Sequence, residues 1–318
     1  MTHRVLITGG GGWLGHALAH QLSAQRLRVR ISTSQEKLAL AAPWEAVHTP
    51  DLNATTDWHS AVQSVNTVIH CAARVHVMND PQAHPLASFR EVNVQGTLNL
   101  ARQAATAGVR RFIFISSVKV HGESTLPGHA FTETNTPQPQ DAYALSKHEA
   151  EQGLRRLGAD TGMQVVIIRP PLIYGPGVKA NFSALMRAVQ GGLPLPLGAV
   201  HNQRSLVGLD NMVDFVATCI THPQATNQTF LVSDSHDIST TELVRQMARS
   251  ARVPIRLLPV PVWALHAGAR LLGKKDAIQR LCGNLQVDVS KARRLLGWHP
   301  PVSFEEGLRR AVNGIHPV

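Results

Sequence analysis

The sequence predicts a doubly wound α/β fold, a parallel sheet with helices on both faces, and three observations carry that expectation. Aliphatic, β-branched runs recur through the first half of the chain: RVLIT (4–8), RVRIS (28–32), TVIHCAA (67–73), RFIFISS (111–117) and QVVIIRP (164–170). Near-continuous apolarity of this kind marks strands buried on both faces. Between the runs lie segments with apolar residues at helical spacing, such as WLGHALAHQLSAQ and ASFREVNVQGTLNLARQAATAG, and alternation of the two element types builds parallel sheets. The third observation is a glycine run placed directly after the first strand and at the start of a helix, VLITGGGGWLGHAL.

Glycines at a strand-to-helix junction permit a tight turn, let the backbone approach a pyrophosphate, and seat that anion on a helix N-terminus. Gly9, Gly12 and Gly15 fit TGxxGxxG, while Gly10, Gly12 and Gly15 fit GxGxxG; both registers predict a dinucleotide-binding, Rossmann-type first domain. The second strand ends in Ser32, Thr33 and Ser34, with Arg30 and Lys37 close by and no carboxylate at its tip. Hydroxyls and cations there suit a 2′-phosphate, so the expected cofactor is NADP ahead of NAD.

After RPPLIYGPG (169–177) the chain changes to shorter, proline-interrupted pieces, GGLPLPLGAV, RVPIRLLPVPVW and GWHPPVSF. These punctuators predict a first domain over 1–176 and a smaller second lobe over 177–318, with a segment near 204–222 able to rejoin the first. The apolar VPVWALHAGARLLG (260–273) reads as a second-lobe core helix ahead of a membrane-surface helix.

The chain has 318 residues, enough for a sizeable core, and a formal charge of +10. Lysine and arginine are scattered rather than blocked, which fits a solvated surface or small phosphate-bearing ligands better than nucleic acid. The three cysteines, Cys71, Cys219 and Cys282, form no CxxC pair, so neither a disulfide framework nor a thiolate metal site is indicated. The 17 histidines include one HxxxH, His16 and His20, but no HExxH; His70 reads as a strand-end core residue, and no metal is assigned. A strand begins almost at the N-terminus and no run reaches membrane-spanning length, so the expected location is cytoplasmic.

One of only two tyrosines, Tyr143, lies in AYALSKHEAE (142–151), four residues before Lys147. That spacing puts phenol and ammonium on one helix face. A phenol titrates near ~10 in water, and an adjacent cation favours its ionised form and fits it for acid/base work. Ser116 and Ser117 end a buried strand, where open α/β sheets bind their ligands, and supply a hydroxyl to orient a substrate oxygen.

Taken in order, TGGGGWLG, the DL pair Asp51 and Leu52, VIHCAA, NVQGT, ISSVKVHG, FTETNTPQPQDAYALSKHEAE, RPPLIYGPG, RSLVGLDN and SKARRLLGW resemble the extended short-chain dehydrogenase/reductases. These are the UDP-galactose 4-epimerase-like epimerases, dehydratases and reductases of nucleotide sugars. The resemblance implies that Gly9, Gly12, Trp13, Leu14 and Gly15 hold the cofactor pyrophosphate, and Thr33 the second-strand tip. By the same resemblance Asp51 with Leu52 meets the adenine, and the Ala72 and Ala73 backbone borders the cofactor. It further implies that Ser117 orients the sugar oxygen, Tyr143 is the acid/base, and Lys147 binds the nicotinamide ribose and tunes the tyrosine. Lys179, Asn181, Arg204 and Arg280 would hold the nucleotide diphosphate. His121 stands where the family commonly has tyrosine.

Within the family the chain looks most like reductases of UDP-4-keto-6-deoxy-N-acetylhexosamines of surface polysaccharide synthesis. The alternative is a UDP-sugar 4-epimerase of the UDP-glucose or UDP-N-acetylglucosamine type that retains NAD. A noncatalytic dinucleotide-sensing module is the reading from another class. The resemblance also implies a homodimer paired through two helices, one of them carrying Tyr143 and Lys147.

Overall fold

The structure, a computed structural model, describes residues 3–34, 43–49, 51–75, 85–273 and 275–314. Its main sheet has seven parallel strands: β1 (Arg4–Thr8), β2 (Arg28–Thr33), β3 (Glu45–His48), β4 (Thr67–His70), β5 (Arg111–Ile115), β6 (Gln164–Arg169) and β9 (Thr229–Leu231), in the order β3-β2-β1-β4-β5-β6-β9. The order reverses between β1 and β4, so the chain leaves in opposite directions there and opens a crevice at the carboxyl edge.

Each face is covered by its own helices. On one side α1 (Trp13–Ala24), α7 (Leu209–Thr221) and α11 (Ser290–Leu296) bury Leu18, Leu22, Phe215, Val216 and Leu296 against Ile7, Ile31 and Ile113. On the other, the short α2 (His59–Val62), α4 (Thr97–Thr106) and α5 (Ala142–Thr161) bury Val62, Leu100 and Leu154 against Leu6, Phe112 and Phe114. α4 continues α3 (Pro85–Arg90) through a wide turn over Glu91–Gly96.

The second lobe is built on a three-stranded sheet, β10-β8-β7, from β7 (Leu172–Tyr174), β8 (Arg204–Gly208) and β10 (Asp237–Ile238). Helices α6 (Ala180–Gln190), α8 (Thr240–Ala251) and α12 (Phe304–Asn313) close its core around Tyr174, Phe182, Val244 and Leu308. Besides α7, β9 and α11 also belong to the first body: β9 is the seventh strand, and Trp298, just past α11, packs edge-on to Phe215 with ring centroids 4.9 Å apart.

The helix pair α9 (Val262–Leu271) and α10 (Lys275–Cys282) departs from the core helix read from sequence. Val262 and Leu265 pack against the lobe core and Ala269 is buried, but the opposite face of α9 is exposed. Among the described residues no helix is long and apolar enough to cross a membrane.

Candidate active site

The crevice at the carboxyl edge gathers the loops after β1, β4 and β5. Gly9 follows β1 with φ of +69°, a left-handed conformation that glycine adopts without penalty. A Cβ on Gly15 would lie 2.2 Å from the Gly9 carbonyl oxygen, so the first turn of α1 seats on the loop only without a side chain. Gly10 is equally confined, since a Cβ there would lie 2.5 Å from Ile31 Cβ, so the glycines of both overlapping registers are structurally required. Gly12 caps α1 with no side-chain hydrogen bond, and no acidic residue lies in its first turn. The opening N–H groups of a helix have no partner within it, so this end suits a phosphate.

Trp13 and Leu14 reach this place through their backbone at the helix start, while their side chains do other work. The Trp13 indole N–H donates to the Pro176 carbonyl at 2.7 Å, tying the loop to the second lobe. Leu14 packs against the first-lobe core.

Asp51, Leu52, Ala72 and Ala73 line one cleft of about 440 Å³ with Asn53, Arg74, Glu91 and Val92. The Asn93 amide, buried under this cleft, pins its wall. It accepts from the Arg74 N–H at 2.8 Å and donates to the Arg74 carbonyl and to Ser146 Oγ, both at 3.0 Å. Asn93 thereby links the loop after β4 to the helix bearing Tyr143, a role the motif NVQGT did not disclose.

The tip of β2 differs from its sequence reading. Arg30 is buried, its guanidinium donating to the Ser60, Ala61 and Gln63 carbonyls at 2.8–3.0 Å and pairing with Glu45 at 2.9 Å. The Ser32 hydroxyl is bonded to that of Thr49 at 2.5 Å, and Thr33 is buried. Arg30 thus holds the sheet edge to the end of α2 and is not a cation for a 2′-phosphate; Lys37 lies outside the described residues.

Asp141 caps α5 by accepting from the Ala144 N–H at 2.7 Å, and its other oxygen pairs with Lys119 Nζ at 2.7 Å. This sets Tyr143 in the first turn, half-buried, its ring edge-on to Phe89 with centroids 6.2 Å apart. The Tyr143 hydroxyl has no hydrogen-bond partner among the described residues. Lys147, one turn on, is buried: its ammonium donates to the Ile115 carbonyl at 2.8 Å, 4.5 Å from the Phe114 ring centre and 6.0 Å from that of Tyr143.

The electrostatics correct a simple expectation. Burial, with the Asp141 charge, pushes the Tyr143 phenol up to about 12 rather than down, and burial lowers Lys147 to about 8. The cation stands beside the phenol but is committed to the strand carbonyl. In the protein alone Tyr143 therefore stays protonated near neutrality, and ionising it takes further positive charge nearby.

Of the two strand-end serines, Ser116 is fully engaged, donating to Glu151 at 2.6 Å in a buried site. Ser117 is half-buried, accepts among the described residues only a 3.2 Å bond from the Lys119 N–H, and leads into the turn Val118–Val120. Behind them Glu151 is clasped by Arg169 through both carboxylate oxygens, and Arg169 donates to His121 Nε2 at 2.7 Å. Burial and the Arg169 charge lower His121 to about 4, keeping it a neutral acceptor stacked 5.3 Å from Phe131. This buried chain locks α5 to the ends of β5 and β6, and so fixes Tyr143 relative to Ser117. Glu151 lies eight residues after Tyr143 on the same face, a spacing that could have revealed it.

The second-lobe residues fall into two groups. Arg204 and Arg280 are half-buried, and the Arg280 charge adds to burial in depressing the pKa of Arg204, which donates to the Gly283 carbonyl at 3.0 Å. Two guanidinium groups held together suit the paired charges of a diphosphate. Lys179 and Asn181 are exposed at the start of α6, without side-chain hydrogen bonds among the described residues.

His70 is buried, bonded to Thr8 Oγ1 at 2.6 Å and Thr97 Oγ1 at 2.8 Å. No group of three or more His, Cys, Asp or Glu side chains among the described residues could hold a metal ion.

Fold and site together suit a dinucleotide-using enzyme: a glycine turn at the carboxyl edge of the sheet, a cleft beside it, and a phenol left without a partner among the described residues. Residues 5–233 match the model of the NAD dependent epimerase/dehydratase family, and the chain belongs to that family. A UDP-glucose 4-epimerase of Vibrio cholerae is 47% identical over 316 residues, covering 98% of this chain and 94% of that protein. An Escherichia coli O157:H7 protein, N-acetyl-alpha-D-glucosaminyl-diphospho-ditrans,octacis-undecaprenol 4-epimerase, is 27% identical over 98% of this chain and 95% of its own length. In structure the chain resembles UDP-glucuronic acid 4-epimerase from Bacillus cereus, solved with NAD, at a TM-score of 0.79 and 18% identity over 98% of both chains.

Proposed function

We propose that the protein is a UDP-sugar 4-epimerase of the UDP-glucose or UDP-N-acetylglucosamine type that retains NAD. The observation that carries this reading is the 47% identity, along nearly the whole chain, to a UDP-glucose 4-epimerase. It favours the epimerase over the 4-keto-sugar reductase, and the engagement of Arg30 with Glu45 and three carbonyls removes a support for NADP.

The turn Gly9–Gly12–Gly15 and the open end of α1 suit the pyrophosphate, and the cleft lined by Asp51, Leu52, Ala72 and Ala73 suits the adenosine half. When bound, NAD would take a hydride from sugar C4 and return it, and its charged ring would favour the Tyr143 phenolate. Ser117 holds the C4 oxygen. Tyr143 takes the hydroxyl proton as the C4–H bond breaks and the carbonyl forms, then returns it to that oxygen when a C4–H bond forms on the opposite face. Arg204 and Arg280 keep the diphosphate in place while the sugar turns, assisted by Lys179 and Asn181 at the mouth. A homodimer paired through α5 and a neighbouring helix, and a cytoplasmic location, complete the reading; a single monomeric species in sedimentation velocity would overturn the first.

Pure protein incubated with UDP-glucose, and separately with UDP-N-acetylglucosamine, without added cofactor, tests the reading by NMR of the products. Inversion at C4 supports it. Turnover only of a 4-keto-6-deoxy sugar, with NADPH consumed mole for mole, would replace it with the reductase.

A further inference from the structure

The surface around α9 is built unlike the rest of the molecule. Trp263, Leu271 and Leu272 are 75%, 89% and 74% exposed, and Leu258 is 49% exposed. Half of the exposed large apolar side chains among the described residues thus fall within 258–272. Trp263, Ala267, Arg270 and Leu271, at i, i+4, i+7 and i+8, form one exposed face of α9, while Val262 and Leu265 on the other side pack against the lobe core. A surface helix ordinarily turns a polar stripe to water; α9 presents tryptophan and leucine.

The charge around this face has one sign. Between Glu242 and Asp276 the chain has no acidic residue. Arg245 and Arg249 pair back to Glu242, but Arg252, Arg256, Arg270 and Lys275 are exposed and have no ion-pair partner among the described residues. A second copy of the chain is a poor occupant, because a two-fold interface would set this patch against itself and bring the cations together. An anionic bilayer complements both features: tryptophan favours the headgroup boundary, and unpaired basic side chains meet lipid phosphates.

We propose that the exposed face of α9, with Leu272 and the surrounding cations, docks on an anionic lipid surface. Trp263, Leu271 and Leu272 enter the headgroup–acyl boundary while Arg270 and Lys275 contact phosphates. The attachment is peripheral. Because α10 carries Arg280, docking holds the substrate lobe at the bilayer surface, and it does not depend on which sugar reaction the site performs.

The test is co-sedimentation of the full chain with phosphatidylcholine vesicles with and without phosphatidylglycerol, alongside tryptophan fluorescence. The expected result is binding to the phosphatidylglycerol vesicles that weakens as salt is raised, with a blue-shifted emission. Replacing Trp263→Ser, Leu271→Ser and Leu272→Ser together weakens binding at least roughly tenfold, while the unfolding midpoint and lipid-free turnover stay unchanged. Failure of the native chain to bind these vesicles at low salt overturns the proposal. So does equal binding by the triple variant, or a finding that the three serines abolish self-association or capture of an acidic protein rather than lipid binding.

Discussion

The two tyrosines occupy opposite environments. Tyr174, fully buried in the second lobe, donates to Asp234 at 2.6 Å, and Asp234 also accepts from the Gly208 N–H at 2.8 Å and the Asn211 amide at 2.7 Å. Burial first, then the Asp234 charge, pushes its phenol far up, out of reach of any proton exchange near neutrality. Tyr143 keeps a hydroxyl without a partner among the described residues, with an ammonium 6.0 Å from its ring centre. A phenol saturated with hydrogen bonds in a core stabilises a fold. One left open beside a buried cation is available for chemistry.

The comparison is sharpened most by Tyr143→Phe. Turnover should fall about 10²- to 10⁴-fold, with NAD affinity by calorimetry and the unfolding midpoint both retained. Arg204→Gln and Arg280→Gln should each raise KM roughly 10- to 100-fold, as expected for losing a charge-assisted hydrogen bond to phosphate, and leave kcat nearly unchanged. Tyr174→Phe should do the reverse of Tyr143→Phe. Urea unfolding should show a loss of about 1–3 kcal/mol, from an aspartate left short of a donor, with kcat of the folded fraction intact. If instead Tyr174→Phe abolished turnover at full stability, the division of labour between the two phenols would be lost.

The last effect concerns pH. Burial, with the Lys147 charge, holds His70 at about 3, and burial, with Arg169, holds His121 at about 4, against about 6.5 for unfolded histidine. As pH falls below 6.5 the unfolded chain takes up protons that the folded chain refuses, so stability falls until about pH 4 to 3. His70→Asn should flatten that acid limb in thermal melts at stepped pH, even where it lowers stability at pH 7.

Much of the first lobe is readable because its cause is local. The strands β1, β2, β4, β5 and β6 coincide with the apolar runs, and the glycine loop sits between strand and helix. The edge strands β3 and β9, with four and three residues, are too short to show a period. Why both overlapping glycine registers occur was not legible: Gly9 needs its positive φ, and Gly10 lies against the Ile31 side chain. Long-range partnerships were the least legible. Arg30 reads as a free cation until Glu45 and three carbonyls are seen around it, and the chain from Ser116 through Glu151 and Arg169 to His121 joins three elements. The proximity of Tyr143 and Lys147 follows from helix geometry; the direction of the ammonium, toward Ile115, does not.

The most direct test of the central claim is the fate of the hydrogen on C4. UDP-glucose carrying deuterium at C4 is incubated with the protein and the product is read by NMR and mass spectrometry. Retention of the deuterium at C4 of the inverted sugar is predicted, because the same hydride leaves and returns while Tyr143 exchanges only the oxygen-bound proton. Loss of the deuterium to solvent, or no inversion at all, would contradict the account.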